Sequence, residues 1–308
     1  MPEKNAPQLS LVICTYNRDK YLPGTLSTIT QQAADKNNFE LLIIDNNSTD
    51  RTAAIAAKFI ADNSAINTSY FFESNKGLSF ARNRGIAEAK GSVIVYIDDD
   101  VILPENYLSS LMNFFKERPD AAGAGGKVIP KYESGTEPLW MNKYLNGFIG
   151  RVDHGDAIKI FDKEMKYPAG CNMIYKKEVL LAAGGFNNDL TFRSDDKYIF
   201  QQVKKISGKI YYIPCAWLYH YIDEARLQFS NFKKLFLKTG NEEKKRVVAA
   251  SGSWGWIKKL AEFKIKFGAS LLLFIAFVLK GEYQKGKYTV LSQWYTLIGF
   301  LKKEVYVR

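Results

Sequence analysis

The sequence predicts an α/β fold with a mostly parallel central sheet, followed by a helical, basic, apolar appendage. Three observations lead there. Apolar runs rich in β-branched residues recur through the first half, and helix-length segments separate them. One such run, Val93, Ile94, Val95 and Ile97, lacks polar alternation and so reads as a strand buried on both faces. The charge is also divided unevenly. Residues 1–229 hold 27 basic and 27 acidic side chains, whereas residues 230–308 hold 16 and 5, so the tail carries the whole net charge of +11. We therefore expect a domain over residues 1–225 and a tail over 226–308.

Taken in order, Leu9–Cys14 is a strand that ends at Thr15-Tyr16-Asn17, and Tyr21–Gln32 is a helix. Phe39–Asp45 is the second strand; Ser48, Thr49 or Asp50 can cap the helix Thr52–Ala61 that follows. Thr68–Glu73, the helix Leu78–Ala89, the strand Ser92–Asp98 and the helix Glu105–Lys116 continue the alternation. Beyond them, Gly123–Pro130 and Gly170–Tyr175 read as strands, Val179–Ala183 and Tyr198–Lys205 as helices. Lys209–His220 reads as a strand that Pro214 confines to an edge or a bulge. In a parallel sheet, ligands bind off the carboxyl ends of the strands. Thr15–Asn17, Asp45 and Asp98–Asp100 all fall at such ends, so one site can contain them.

Asp98, Asp99 and Asp100 cannot all ionise side by side without a cation or several donors. A tight cluster of oxygen ligands suits a hard divalent ion that also holds phosphates; an acidic, solvated turn is the alternative. Cys14, Cys171 and Cys215 are widely spaced in apolar context, which reads as buried thiols in a reducing compartment, with no CxxC or CxxH spacing for a metal. The polar start Met-Pro-Glu-Lys-Asn-Ala-Pro leads directly into the first strand, so no secretory signal is expected. No GxGxxG follows that strand, which disfavours a dinucleotide oxidoreductase.

Leu11-Val-Ile-Cys-Thr-Tyr-Asn17, Ile43-Ile-Asp-Asn-Asn-Ser-Thr-Asp50 and Asn75-Lys-Gly-Leu-Ser-Phe-Ala-Arg-Asn-Arg-Gly85 are followed by Tyr96-Ile-Asp-Asp-Asp-Val-Ile-Leu-Pro104, Gly170-Cys-Asn-Met173 and Gly184-Gly-Phe186. In this order they resemble the family-2 glycosyltransferases, inverting enzymes of the Rossmann-like GT-A fold that use nucleotide-diphosphate sugars. The resemblance covers about residues 8–225. It implies that Asp45 binds the base edge, that Thr15, Tyr16 and Asn17 line the nucleotide pocket, and that Arg82 reaches the nucleotide or its phosphates. It makes Asp98–Asp100 a DxD-type motif. Alternate side chains of an extended segment share a face, so Asp98 and Asp100 act together on manganese or magnesium, and Asp98 and Asp99 are assigned to the donor nucleotide. His220 completes the metal site. Asp195 and Asp196 stand where the family has a Glu-Asp pair, with Asp196 as the base and Asp195 orienting the acceptor; capping of the next helix is the alternative. Gly170 and Asn172 are assigned to the donor sugar or acceptor.

In the tail, Phe267–Leu279 and Tyr288–Leu301 are uncharged runs flanked by lysines and accompanied by Trp254, Trp256 and Trp294. Each is too short for a confident span, which suits helices lying in an anionic membrane interface. Packing of a helical pair on the catalytic domain is the alternative. The expected enzyme is a cytoplasmic, peripheral sugar transferase acting on a glycan or lipid-linked acceptor in cell-surface polysaccharide synthesis. Nucleotide-sugar binding without transfer is the competing reading. Nucleic-acid binding is disfavoured because the basic tail comes with long apolar runs rather than an exposed basic stripe.

Overall fold

Four strands frame the N-terminal half of the computed structural model, which describes residues 7–162, 165–190 and 194–302. They are β1 (Leu9–Thr15), β2 (Phe39–Asp45), β3 (Thr68–Phe72) and β4 (Val93–Ile97), alternating with α1 (Leu22–Thr30), α2 (Thr52–Asp62) and α3 (Leu78–Glu88). They pair in parallel in the order β3-β2-β1-β4. β2 and β4 are buried at every position. Alternate residues supply two cores, one on each face of the sheet: Leu9, Leu11 and Ile13 enter one, Val12, Ile94 and Tyr96 the other.

The remaining strands are β5 (Val101–Ile102), β6 (Gly123–Tyr132), β7 (Lys159–Ile160), β8 (Asn172–Lys176) and β9 (Ile210–Ile222), with helices α4 (Tyr107–Glu117), α5 (Lys177–Ala182) and α6 (Asp195–Ile206) between them. The full order is β3-β2-β1-β4-β8-β6-β9-β5, with β7 also on β9. β8 runs antiparallel to both β4 and β6, and β9 antiparallel to β5 and β7. The sheet is therefore mixed, its parallel frame β3-β2-β1-β4 continued by antiparallel strands. Parallel neighbours need a long crossover, and the strand–helix alternation that supplies one stops after α4. β9 is also interior, not an edge. It tolerates Pro214 because that residue falls between Tyr212, which pairs with β7, and Tyr219, which pairs with β5. β6 and β9 approach so closely that a Cβ on Gly126 would lie 1.7 Å from the Ala216 carbonyl oxygen.

The thiols depart from the expectation of uniform burial. Cys171 is buried and Cys14 half-buried, with burial pushing the Cys14 thiol up to about 12, but Cys215 is exposed.

Two compact units divide the chain. The first holds the described residues to Pro130, those from Gly150 to Leu190, and Asp195–Tyr221; the second holds Lys131–Ile149 and the described chain from Ile222 onward. Lys131–Ile149 thus goes with the tail, held by aromatic packing. Trp140 stacks on Tyr288 at 4.4 Å and meets Phe148 and Phe232 edge-on.

After the short α7 (Glu224–Leu227), the tail consists of α8 (Phe229–Leu279) and α9 (Tyr283–Leu301). α8 breaks at Gly252, whose φ of 56° and ψ of −150° only glycine adopts readily. The chain turns back there. Glu243 before the break and Lys259 after it are 3.1 Å apart, where a straight helix would separate them by about 24 Å. α9 packs against both arms. Added Cβ atoms on Gly240 and Gly299 would lie 2.0 Å from the Thr296 and Leu237 carbonyl oxygens, and Phe300 stacks on Trp256 and meets Phe263. The run Tyr288–Leu301 therefore does not lie open; Thr289, Ser292, Thr296, Leu297 and Phe300 are buried within this unit. Among the described residues no helix is long and apolar enough to cross a membrane.

Two glycines of α8 should respond oppositely to alanine. Gly252→Ala forces an L residue into a strained conformation and should lower stability by about 1–3 kcal/mol. Gly268 is helical with nothing within 4 Å of an added Cβ, so Gly268→Ala should raise it by up to about 1 kcal/mol. Paired urea titrations followed by circular dichroism measure both.

Candidate active site

The acidic run begins where β4 ends. Asp98 is partly exposed, whereas Asp99 and Asp100 are buried. Three carboxylates in that position demand compensation, and two arginines and a histidine supply it.

Arg18, three residues beyond the end of β1, donates from Nε to Asp99 Oδ1 at 3.0 Å and from Nη2 to Asp100 Oδ2. Desolvation still dominates at Asp99 and pushes its carboxyl up to about 7, against the lowering effect of Arg18. Asp99, assigned from the resemblance to the donor nucleotide, is thus paired with a side chain of the protein. Arg18 was not singled out from the sequence. Its signal was there, since three acids at one strand end require a cation and Arg18 directly follows Thr15–Asn17.

His220 arrives by strand pairing. β9 places it opposite Val101, and the next residue, Tyr221, donates its backbone N–H to the Asp100 carbonyl oxygen at 2.8 Å. His220 Nε2 lies 3.3 Å from Asp100 Oδ1. Ligand atoms of Asp98, Asp100 and His220 all fall within 4.8 Å of one another. Two carboxylates and an imidazole form a donor set that manganese accepts well and magnesium tolerates.

Arg82 joins this cluster to the second acid pair. It sits on α3 and is buried. Its Nη1 pairs with Asp195; its Nη2 donates to the Gly170 carbonyl oxygen at 3.2 Å and lies 3.9 Å from Asp98 Oδ1. Gly170 makes room for it, since a Cβ there would lie 2.8 Å from Nη2. The Tyr96 hydroxyl donates to the Arg82 carbonyl oxygen at 2.9 Å and fixes the backbone beneath.

Asp195 and Asp196 open α6, which starts three residues earlier than the apolar pattern suggests, so both acids occupy its first turn. Asp195 is buried and Asp196 half-buried; Asp196 Oδ1 accepts the backbone N–H of Lys197 at 2.7 Å. The helix dipole favours both charges.

The strand ends on the other side carry the remaining expected residues. Asp45 is buried, its carboxylate accepting from the Tyr70 hydroxyl at 2.7 Å and the Ser48 N–H at 2.8 Å. Asp50, not Asp45, accepts the Thr52 N–H at the start of α2. Thr15 is buried opposite Asp45. Asn17 takes a positive φ of 52° and receives the Thr49 N–H on its side-chain oxygen at 2.7 Å. Tyr16 is exposed, with the Lys76 ammonium 5.7 Å from its ring centre.

Asn172 goes elsewhere. It is fully buried, accepting from the Tyr107 hydroxyl at 2.8 Å and donating to the carbonyl oxygens of Lys127 and Ala216 at 3.2 and 2.9 Å. Its amide group ties β8 to β6 and β9, and its full burial sets it apart from the position expected of a residue facing the sugar.

Comparison with known proteins bears on the family and the fold. The family model described as Glycosyl transferase family 2 matches residues 10–182. A glucosyl-dolichyl phosphate glucuronosyltransferase of Haloferax volcanii is 24% identical over 66% of this chain and 63% of its own length. A validoxylamine A glucosyltransferase of Streptomyces hygroscopicus subsp. limoneus is 31% identical over 50% of this chain, which spans only 33% of that relative. Among solved structures, a mannosyltransferase from Pyrobaculum calidifontis in complex with GDP-Man and Mn2+ superposes with a TM-score of 0.63 at 14% identity, covering 95% of this chain and 87% of that one. That likeness establishes the GT-A fold.

Removing Arg82 strands a buried carboxylate. Arg82→Met should cost about 3–5 kcal/mol, and Arg82→Met combined with Asp195→Leu should recover a large part of it. A double-mutant cycle in urea reads the coupling; additive losses would mean that the pair does not interact.

Proposed function

The chain belongs to glycosyl transferase family 2, and from that premise we propose that it transfers a sugar, with inversion, from a nucleotide-diphosphate sugar to a hydroxyl of a glycan or lipid-linked acceptor. The observation that carries this reading is the single chain of contacts from His220 through Asp100 and Asp98 to Arg82 and Asp195. It brings side chains that could hold a cation beside an acid pair, a combination that suits metal-assisted transfer with a carboxylate base. The lipid-linked class of acceptor draws support from the name of the archaeal relative.

Asp98, Asp100 and His220 would hold manganese or magnesium. When bound, that cation supplies Lewis-acid neutralisation of the charge that develops on the leaving diphosphate. Arg18 would keep the Asp100 carboxylate in register from behind. Tyr16 and Asp45, at adjacent strand ends, would receive the base, the ring by stacking and the carboxylate by its remaining lone pairs. Asp195 is committed to Arg82, whereas Asp196 keeps part of its surface open. That difference favours Asp196 as the base that takes the acceptor proton, with Asp195 and Arg82 orienting the site. Gly170 would contribute by seating Arg82. We place the protein at the cytoplasmic face of the membrane, held peripherally through its basic tail.

Asp196→Asn should lower kcat by about 10²–10⁴-fold while leaving the calorimetric Kd for the donor within about twofold. Undiminished turnover would remove Asp196 from the base role, and donor binding without any turnover by the wild type would favour a binding protein. A panel of nucleotide sugars scored by nucleotide release, with and without manganese, identifies the donor. Manganese titrated calorimetrically without donor should bind the wild type and lose at least tenfold in affinity in Asp100→Asn and in His220→Gln.

A further inference from the structure

The second arm of α8 presents an uncovered apolar face. Trp254, Ile257, Ile265, Leu272, Ile275 and Leu279 are 52% exposed or more, with Trp254 at 76%, Ile265 at 72%, Leu272 at 71% and Leu279 at 83%. At 100° per residue, these six positions fall within an arc of about 80° and run about 37 Å along the helix. Ala261 and Gly268 complete the same stripe and are exposed. The buried positions Phe263 and Ser270 lie on the opposite side, toward α9. The stripe is thus the outward face of a helix whose inner face is already satisfied. Patches of this length are uncommon on proteins without a partner surface.

Charge identifies the partner. Lys258 and Lys264 are exposed on either side of the stripe, each about 20° beyond its edge, and Lys280 is exposed at its C-terminal end. The single acid of this arm, Glu262, is tied to Lys259 at 2.8 Å and Lys266 at 2.5 Å. A second copy of the chain docking through the stripe would bring two lysine margins together. An anionic bilayer accepts both features at once: apolar side chains enter the acyl boundary, tryptophan settles at the headgroups, and lysines meet lipid phosphates.

On the peripheral-membrane reading given above, we propose that this face of α8, from Trp254 to Leu279, lies flat in the interface of an anionic bilayer. α9 is not the membrane element; it is the inner support that keeps the stripe outward. The contact is two-part, with lysines drawing the helix to the surface and the stripe retaining it, so salt should weaken binding without abolishing it.

The test uses the full chain and vesicles of phosphatidylcholine, alone or with about a third phosphatidylglycerol, scored by flotation at low and high salt. The wild type should float with the anionic vesicles and remain behind with the neutral ones. Ile265→Ser with Leu272→Ser alters only exposed positions and should reduce partitioning at least tenfold while circular dichroism stays unchanged. Lys258→Gln with Lys264→Gln should reduce it less and flatten the salt dependence. Absence of wild-type binding would overturn both the stripe and the peripheral-membrane reading. Binding that the serine variant leaves intact would overturn the stripe alone. A wild-type dimer in sedimentation that the serine variant dissolves, with no vesicle binding, would assign the face to a second copy instead.

Discussion

Three adjacent carboxylates at the end of one strand set the terms for everything around them. Burying Asp99 and Asp100 without compensation would cost several kcal/mol each. The protein offsets that cost with Arg18 from the first loop and His220 from a strand more than a hundred residues later, while Arg82 from a helix faces the neighbouring Asp98. Each donor is delivered by a different piece of architecture. The parallel frame brings Arg18 and Arg82 to the same end of the sheet, and the antiparallel second half returns β9 so that His220 faces Asp100. The mixed sheet is in this sense a requirement of the acidic run.

Arg18 faces Asp99 and Asp100, Arg82 faces Asp98 and Asp195, and a divalent cation held by Asp98, Asp100 and His220 would bring further positive charge to the same cluster. Arg82 also makes the site a single unit. Its guanidinium reaches both Asp98 and Asp195 and so links the acidic run to the pair at the start of α6.

Much of the fold was legible because its signals are local. β2, the start of α2 and the starts of β3 and α3 fall where β-branched runs, caps and glycine place them. Asp98, Asp100 and His220 were likewise readable as a set once the family order of motifs was recognised. What escaped depends on pairs far apart in sequence. Arg18 has no local signature for an acid 81 residues away. Asn172 looks like a site residue in its motif, yet its amide meets carbonyl oxygens that only β6 and β9 bring near. Pro214 suggested an edge, since its tolerated position depends on where β5 and β7 stop. The reversal at Gly252 was hidden because the helical pattern continues on both sides of it.

The seat of Arg82 imposes an order on sequence change. With glycine at 170, the guanidinium fits; any side chain there would press on it at 2.8 Å. Loss of Arg82 while Asp195 remains leaves a buried acid stranded, whereas loss of Asp195 leaves Arg82 still near Asp98 and bonded to the Gly170 carbonyl oxygen. A lineage drifting away from this chemistry would therefore shed Asp195 first, Arg82 second and Gly170 last. Positions 82, 170 and 195 should change as a linked history rather than independently.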